Sequence, residues 1–493
     1  MTPNVRLTVR RAVRSPSVAA ILALAAAVGP APLAAAEIRA LESARLHGAW
    51  LVPSESPRTT LTLVVLAGER DNPGEHGLAH YAEHLVWLSA VDARAAGGGR
   101  HANASTGPAL TSYRLDGPRE ELDDMLATLA RVFEPIDLPA PFMREEVGIV
   151  QREYDLRARE SPRRALEDEL ARLQHGERWP ARSVLGTPES IARLTPAAAA
   201  AWQARTHRPD NTVLLVHGDH EPEALEASLR RVFGTKAAEA GSVTEAGIAR
   251  SASVATGVAA RREGAAGPAT RTGTGTTGTD ASETMSSGDG SPAYRMPPPA
   301  REVHERVESR VDEPWLLHSR LARLDADADP LRLEARFDLL WSVLDSTRAG
   351  GLAGPLRYDD FVARGFDLSL FAVDARHVEL SLVARPDRGV SVRTLFERFE
   401  AALLESARDG VPPDTYERVR TRLLDDFDES ESREEQLLGL AFRLLARRQD
   451  PVPLSDYRAR LTEVTLDDVN ALLDAIAAAP RTVTLLVEPG ERR

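Results

Sequence analysis

The chain has 493 residues, more acidic than basic side chains (formal net charge −13) and no cysteine. The lack of cysteine excludes disulfide bridges, thiolate metal ligands and a cysteine nucleophile, so histidine and carboxylate side chains must carry any metal chemistry. The acidic balance favours solubility and argues against a nucleic-acid partner, which would require a basic surface.

The first 36 residues have the order of a secretory signal peptide. Four arginines precede an apolar run from Val18 to Val28, and three alanines stand before Glu37. The run is too short and too interrupted by glycine and proline for a membrane span. We therefore expect export, a mature chain beginning at Glu37, a periplasmic location and no membrane span in the mature chain. Arg10 and Arg11 leave twin-arginine export open beside the ordinary secretory route that we favour. No cysteine is available near the cleavage site for a lipid anchor.

Residues 37–235 alternate short apolar strands with helices. The hydrophobic periodicity predicts strands at 60–66 and 212–217 and helices at 122–133 and 223–233. Mixed strands and helices of this number predict a layered α/β domain that is large enough for its own core.

A helix is also predicted after Pro73 and Gly74, and it contains the motif His80-x-x-Glu83-His84. On a helix, His80 and His84 project from the same side, and Glu83 borders that face. Two imidazoles and a carboxylate suit zinc, and a catalytic zinc needs three protein ligands with the fourth position left to water. The spacing is the inverted form of the thermolysin-type motif. The alternative is an amphipathic helix whose histidines are polar surface groups.

The motif resembles that of the M16 peptidases, the family of pitrilysin, insulin-degrading enzyme and the mitochondrial processing peptidase. This resemblance implies a third zinc ligand, a glutamate on a downstream helix that follows another glutamate by seven residues. The segment 142–154 matches, with Glu146 and Glu153 two helical turns apart on one face. Taken alone, these two residues would be solvated charges on a surface helix. The similarity also includes four further segments: Asn103-Ala-Ser-Thr106, 184–191, 207–211 and 216–219. It is strong over residues 40–235 and weaker over 303–490.

The resemblance implies one zinc ion per chain, bound by His80, His84 and Glu153. Zinc would activate a water molecule and polarise the scissile carbonyl, while Glu83, as general base, would accept the water proton and deliver it to the leaving amine. Glu146 would orient His84 or another ligand as a hydrogen-bond acceptor.

The resemblance further implies that the strand containing Asn103 and Ala104 receives an extended peptide as an added strand. Main-chain hydrogen bonds would then give affinity with loose sequence preference. From its residue type alone, Asn103 could equally be an ordinary turn residue.

Residues 236–299 are dominated by alanine, glycine, serine and threonine, which predicts a low-complexity flexible linker. Residues 300–493 repeat the alternating order of the first half, with elements predicted at 337–344, 378–383, 395–407, 416–427 and 482–487. They contain no second H-x-x-E-H, so the resemblance implies a duplicated, non-catalytic domain. We therefore predict an α+β, M16-like fold of two homologous layered α/β domains, each a mixed sheet with helices packed on it, joined by the linker.

The second half departs from the pattern of many active M16 members, which carry R-x-x-x-G-L-x-Y there. Aligning the glycine on Gly365 puts Phe361 and Leu368 at the arginine and tyrosine positions, and neither side chain can donate a hydrogen bond. We interpret the nearby Arg357 and Arg364 as exposed residues. The spacing supports none of three nearby candidates as a substitute: Arg357, Tyr358 and Arg364.

These observations favour an exported zinc endopeptidase that cleaves extended peptides or unfolded segments. Two-domain M16 members pair two chains, so we expect a homodimer, or a heterodimer with an M16 homologue that contributes the missing groups. The alternative is a non-catalytic or partner-dependent subunit of an M16-type complex. Glu83 favours catalysis, because a structural zinc site has a closed fourth ligand and needs no base.

Overall fold

The computed structural model describes residues 37–43, 45–91, 101–160, 162–176, 183–234, 294–308, 310–324, 329–374, 376–426 and 433–490. The predicted leader and most of the predicted linker lie outside these ranges. The chain from Glu37 onwards forms one compact unit. In the part of the chain that is described, none of the helices has the length and apolar character needed to cross a membrane.

The strands form two sheets with the same order. The strands are β1 (Arg39–Ala40), β2 (Gly48–Pro53), β3 (Arg58–Val65), β4 (His101–Thr106), β5 (Thr111–Pro118), β6 (Thr212–Gly218), β7 (Ala300–Glu308), β8 (Trp315–Arg323), β9 (Ala363–Ala372), β10 (His377–Pro386) and β11 (Arg481–Pro489). The first sheet has the order β1-β2-β6-β3-β5-β4, and the second has β7-β11-β8-β10-β9. The pairs β2/β6 and β7/β11 are parallel, and the other pairs are antiparallel. Apart from β1, each strand of the first sheet therefore has a counterpart in the second.

Helices connect and cover these strands. They are α1 (Leu78–Ala90), α2 (Leu122–Ala130), α3 (Ala140–Glu160), α4 (Pro162–His175), α5 (Pro188–Ile191), α6 (Pro196–Thr206), α7 (Pro222–Phe233), α8 (Pro330–Leu344), α9 (Val392–Asp409), α10 (Pro413–Asp426), α11 (Arg433–Ala446), α12 (Leu454–Glu463) and α13 (Leu466–Ala477). The predicted mixed sheets with packed helices are confirmed. The predicted strands and helices agree with the observed ones to within a few residues, except that the helix predicted at 337–344 begins seven residues earlier, at Pro330.

The central strands β3 and β6 are buried along almost their whole length because both faces of the sheet are covered. On β3, Leu63 and Val65 face the core that contains α1 and α2. The intervening Val64 faces a second core, which it shares with side chains of the second half. Strands that are buried on both faces form continuous apolar runs rather than alternating ones. The two halves are therefore packed directly against each other.

One helix of each half also packs on the sheet of the other half. Leu166 and Leu170 of α4 pack on Leu317 and Val383 of the second sheet. In return, α11 contacts β2 of the first sheet. Such an exchange depends on tertiary packing, because an amphipathic helix can bury its apolar face against either sheet.

Candidate metal centre

The start of α1 is fixed by a glycine and a buried carboxylate. Gly77 precedes the helix with φ +85°, and a Cβ there would lie 2.9 Å from Leu185 O. This backbone conformation and this close approach both favour glycine. The Glu69 side chain is fully buried, and its Oε1 accepts hydrogen bonds from Gly77 N at 3.3 Å and Asn72 Nδ2 at 3.1 Å. His80 therefore lies in a first helical turn whose start is fixed by Gly77 and Glu69.

The helices α1 and α3 bring His80, His84 and Glu153 together. One ligand atom from each residue lies within 4.8 Å of the others. The two Nε2 atoms are 3.2 Å apart, and Glu153 oxygens lie 3.5 Å from His80 Nε2 and 3.8 Å from His84 Nε2. The three residues predicted as zinc ligands thus converge on one point.

The contacts of the cluster direct the Nε2 atoms of both histidines inward. Burial, followed by the effects of His84 and Arg157, lowers the pKa of His80 to about 3. His84 Nδ1 is 2.9 Å from Glu146 Oε1. An ionised carboxylate only accepts hydrogen bonds, so Nδ1 carries the proton and Nε2 presents a lone pair. His80 is only 6% exposed, so the interpretation of the histidines as surface groups is wrong.

The donor set fits a zinc ion. His80 Nδ1 and Glu153 Oε2 are both buried and make no hydrogen bond. The two imidazole Nε2 atoms lie 3.2 Å apart beside such a carboxylate oxygen, so a cation bound among them would satisfy all three donors together. Two histidines and one glutamate are also a typical donor set of catalytic zinc sites, which keep the fourth position open.

Glu83 borders the cluster without being one of its three converging residues. The side chain is 6% exposed, and Thr106 Oγ1 donates a hydrogen bond to its Oε2 at 3.0 Å. Burial raises the pKa of Glu83 to about 6, against the opposing effects of His84 and the Thr106 hydrogen bond. A carboxylate with a pKa near neutrality can both accept and release a proton, as a general base must.

Asn103 and Ala104 lie on β4, the last strand of the first sheet. Among the described strands β4 pairs only with β5, where Asn103 is opposite Arg114, so the interpretation of Asn103 as a turn residue is wrong. Asn103 is exposed and Ala104 is half-buried. The strand packs beside α1. Among the described strands, β4 is thus an edge strand beside the His-His-Glu cluster.

Two side chains behind the cluster have no predicted role. Tyr113 of β5 packs on Trp87, and its hydroxyl is 2.7 Å from His207 Nε2. Burial, together with the charge of Glu83, raises the pKa of Tyr113 well above its ordinary value. Burial also lowers the pKa of His207 to about 3. In the sequence, the pair of Tyr113 and His207 is signalled through the resemblance of residues 207–211 to the M16 family.

The positions aligned with the missing arginine and tyrosine carry no substitute. Phe361 is 61% exposed and has a left-handed φ of 53°. Leu368 lies on β9, and its carbonyl accepts a hydrogen bond from Trp341 Nε1 at 3.0 Å. Arg364 pairs with Glu313. Arg357, which packs on Tyr358, is exposed as expected, and so is Arg364.

Comparison with known proteins points to the M16 peptidases. Residues 51–186 match the family described as Insulinase (Peptidase family M16). An uncharacterized zinc protease of Mycobacterium leprae (strain TN) is 27% identical over 178 residues, which make up 32% of this chain and 37% of that protein. The match thus spans little more than a third of that relative's length.

Several solved structures share the fold. A protease from Helicobacter pylori has a TM-score of 0.69 at 14% identity, covering 92% of this chain and 99% of that chain. The peptidase M16 inactive domain from Pseudomonas fluorescens has a TM-score of 0.65 at 16% identity, covering 92% and 98%. A ferredoxin protease mutant in complex with Arabidopsis ferredoxin has a TM-score of 0.62 at 18% identity, covering 92% and 48%.

The predicted resemblance to the M16 peptidases is confirmed: residues 51–186 match that family, and the chain shares its fold with M16-like structures. Its His-His-Glu cluster has the donors to hold a metal ion. The family suggests zinc as the metal of the cluster. Because an inactive domain has the same fold, catalysis has to be argued from the site.

Proposed function

We propose that the chain is the catalytic subunit of an exported zinc endopeptidase that hydrolyses peptide bonds in extended peptides or unfolded protein segments. One observation carries this proposal: Glu83 lies buried beside the three-donor cluster, hydrogen-bonded by Thr106, yet is not one of the converging donors. A structural metal site has no use for such a carboxylate, whereas peptide hydrolysis needs a proton acceptor beside an open metal position.

His80, His84 and Glu153 would hold one zinc ion per chain. When bound, zinc supplies Lewis-acid activation of a water molecule and of the scissile carbonyl. The hydrogen bond from His84 Nδ1 to Glu146 fixes the ring tautomer, so that Nε2 points at the other donors. Glu146 therefore acts on the ligand His84, and we assign it to positioning.

Glu83 performs the proton transfers. It accepts the proton of the attacking water and passes it to the nitrogen of the leaving amine as the C–N bond breaks. Burial raises the pKa of Glu83 to about 6, which makes it a stronger base than an exposed glutamate while leaving it ionised at neutral pH. The hydrogen bond from Thr106 fixes one oxygen and leaves the other for the water.

An extended substrate is supported by the position of β4. The exposed edge of this strand, with Asn103 and Ala104, lies beside α1, so a peptide that pairs with it would pass the donor cluster. Main-chain pairing favours unfolded or extended segments over folded surfaces and makes few demands on side chains. The complex of the similar ferredoxin protease with ferredoxin is consistent with a protein substrate.

The second half supports a requirement for a partner. Phe361 and Leu368 cannot supply the hydrogen bonds of the arginine and tyrosine found in many active family members. We propose that a second chain supplies them, either in a heterodimer with an M16 homologue or through another contact in a homodimer. The second candidate function, a non-catalytic or partner-dependent subunit, rests on the same two residues.

Export and a periplasmic location belong to the proposal as well. They rest on the charged, apolar and small-residue order of the first 36 residues. Amino-terminal sequencing of the chain recovered from the cell envelope tests them, with Glu37 as the expected first residue. Recovery of the full-length chain from the cytoplasm would contradict them.

The enzymatic proposal is tested by comparing the mature chain with Glu83→Gln. We expect about one zinc per chain in both proteins, and chelator-sensitive cleavage of a mixed quenched-peptide library by the unmodified protein alone. Removing a general base should lower kcat by about 10²- to 10⁴-fold. Zinc without cleavage in either protein, also after mixing with an M16 homologue from the same cell, would contradict catalysis and favour the binding role.

A further inference from the structure

Arg448 belongs to the second half, just after α11, but its guanidinium contacts the first half. Nη2 donates a hydrogen bond to Asp71 Oδ2 at 2.9 Å, and Nη1 donates to Ala109 O at 3.1 Å. Arg448 and Asp71 side chains are each 17% exposed. A charge-assisted pair that is shielded in this way holds its geometry better than an exposed surface pair.

The Asp71 contact leads to the start of the metal-binding helix. Asp71 ends the short helical turn that begins at Glu69, and Glu69 accepts the hydrogen bond of Gly77 N. Gly77 precedes α1, whose first turn contains His80. Asp71 Oδ2 also accepts a hydrogen bond from Gly68 N at 3.0 Å, which closes the turn.

The Ala109 contact leads to the hydrogen-bond donor of Glu83. Ala109 lies in the turn between β4 and β5, three residues after Thr106. Thr106 is the last residue of β4 and donates to Glu83. The next residue, Leu110, packs on the apolar core shared with the second half.

These two turns are themselves joined. Glu69 N donates to Gly107 O at 3.1 Å, and Arg70 N donates to Pro108 O at 2.8 Å. Arg448 therefore bridges a pair of adjoining turns, one leading to His80 and the other to Glu83. Both of its hydrogen bonds come from a single planar group, which fixes relative position better than two independent contacts would.

The backbone of Arg448 has an unfavourable conformation. Its φ is 61°, a left-handed value that non-glycine residues adopt at a cost in free energy. Glycine is the usual residue where a helix ends in this way. The side chain of Arg448 therefore gives a reason for arginine at a position where glycine would be less strained.

We infer that Arg448 is a positioning residue through which the second half holds the turn before α1 and the turn after β4 in register, and thereby aligns Glu83 with the donor cluster. Its catalytic consequence rests on the proposed function, whereas its effect on the two turns does not. The second half would thus support the site of its own chain, although it carries no H-x-x-E-H.

The test compares Arg448→Gly, Arg448→Lys and the control Arg443→Ala. Glycine removes the guanidinium and suits the backbone, and lysine keeps the charge but cannot bridge both acceptors as a planar fork. Arg443 lies in the last turns of α11, five residues before Arg448, but its ion pairs are with Glu334 and Asp338 of the second half.

Amide hydrogen exchange in the segments 68–78 and 107–111 is the direct readout. In Arg448→Gly we expect exchange to be faster by about tenfold in both segments, with smaller increases in Arg448→Lys and none in Arg443→Ala. For the enzyme we expect kcat to fall by about tenfold at an unchanged KM and zinc content, with partial rescue by lysine. The visible spectrum of the Co²⁺-substituted protein should also change in Arg448→Gly.

Unchanged exchange in both segments of Arg448→Gly would overturn the inference, whether or not the protein is a peptidase. Changed exchange without any peptidase activity in the unmodified chain would leave the bridge standing and refute the proposed function instead. If Arg448→Gly does not fold, Asp71→Asn removes the same charge pair with little change in shape. It should then show faster exchange in 68–78, and normal exchange there would overturn the inference.

Discussion

Replacing Glu146 by glutamine should weaken zinc binding without disturbing the fold. Glu146 is 7% exposed and lies 2.9 Å from His84 Nδ1, so it holds the imidazole in the tautomer that presents Nε2 to the metal. Glutamine keeps the size of the side chain but loses its charge, and its amide group can face the ring with either oxygen or nitrogen. The His84 ring should be less firmly oriented, and its Nε2 should be less basic.

The magnitude follows from the contact. A hydrogen bond to a charged group contributes about 1.5–3 kcal/mol. Losing such a partner of a metal ligand typically weakens metal binding by about 10- to 100-fold. This factor equals about 1.4–2.7 kcal/mol, so the two figures agree.

Competition with a chromophoric chelator at fixed pH would measure the zinc dissociation constant. The matched control is Glu145→Gln, because Glu145 is exposed on the same helix one residue away. We expect Glu146→Gln to bind zinc about 10- to 100-fold more weakly than the unmodified chain and Glu145→Gln to bind normally. Equal affinity of all three proteins would refute the role assigned to Glu146, and equal weakening by both substitutions would show a general charge effect.

Three further predictions concern the base, the pH dependence of stability and the exchanged helix. Thr106→Val should lower kcat by about tenfold at unchanged zinc content, because Glu83 loses its orienting hydrogen bond, while Thr106→Ser retains activity; equal kcat for valine and serine would contradict this. The pKa of His207 is about 3 in the folded chain against an ordinary 6.5, so the unfolded chain takes up a proton first as the pH falls. Between pH 7 and 5 this should lower the free energy of unfolding by about 2 kcal/mol, as measured by urea denaturation. The His207→Gln variant should lack that loss, and the same pH dependence in the variant and the unmodified chain would refute the prediction. Leu170→Ala should cost about 2–5 kcal/mol of stability because α4 covers the second sheet, whereas replacing the exposed Leu156 should cost under about 0.5 kcal/mol; similar values for both would contradict the helix exchange.

The sequence was sufficient for features that depend on local periodicity. The spacing of His80, Glu83 and His84 predicts one helical face, and that of Glu146 and Glu153 predicts another. Both helices form where expected; His80, His84 and Glu153 converge, and Glu146 contacts His84. The buried strands were also predictable, because strands covered on both faces form continuous apolar runs.

Features that depend on tertiary packing were not predictable. The strand β4 consists of polar and small residues, so no local pattern predicts it; the family resemblance alone implied a strand at Asn103, and pairing with β5 defines it. The exchange of α4 and α11 between the halves has no local signal, since either sheet could bury the same apolar face. The contact of Arg448 with Asp71 joins residues 377 positions apart.

Some predictions lie outside the described residues or remain untested. The predicted leader of residues 1–36 and most of the predicted linker 236–299 lie outside the described residues. The domain boundaries at 235 and 300, and the roles of the site residues, remain predictions. The last part of the predicted linker does contact the core, because Tyr294 Oη lies 2.7 Å from His175 Nδ1 and Pro298 O accepts a hydrogen bond from Arg481.

The most direct test is a crystal structure of the zinc-loaded mature chain with anomalous scattering measured on both sides of the zinc absorption edge. The proposed site predicts one zinc peak per chain, at about 2.0–2.2 Å from His80 Nε2, His84 Nε2 and a Glu153 oxygen. Glu83 should lie beside the peak without binding it, and no fourth protein ligand should be present. A zinc ion bound elsewhere, or one enclosed by four protein ligands including Glu83, would contradict the account.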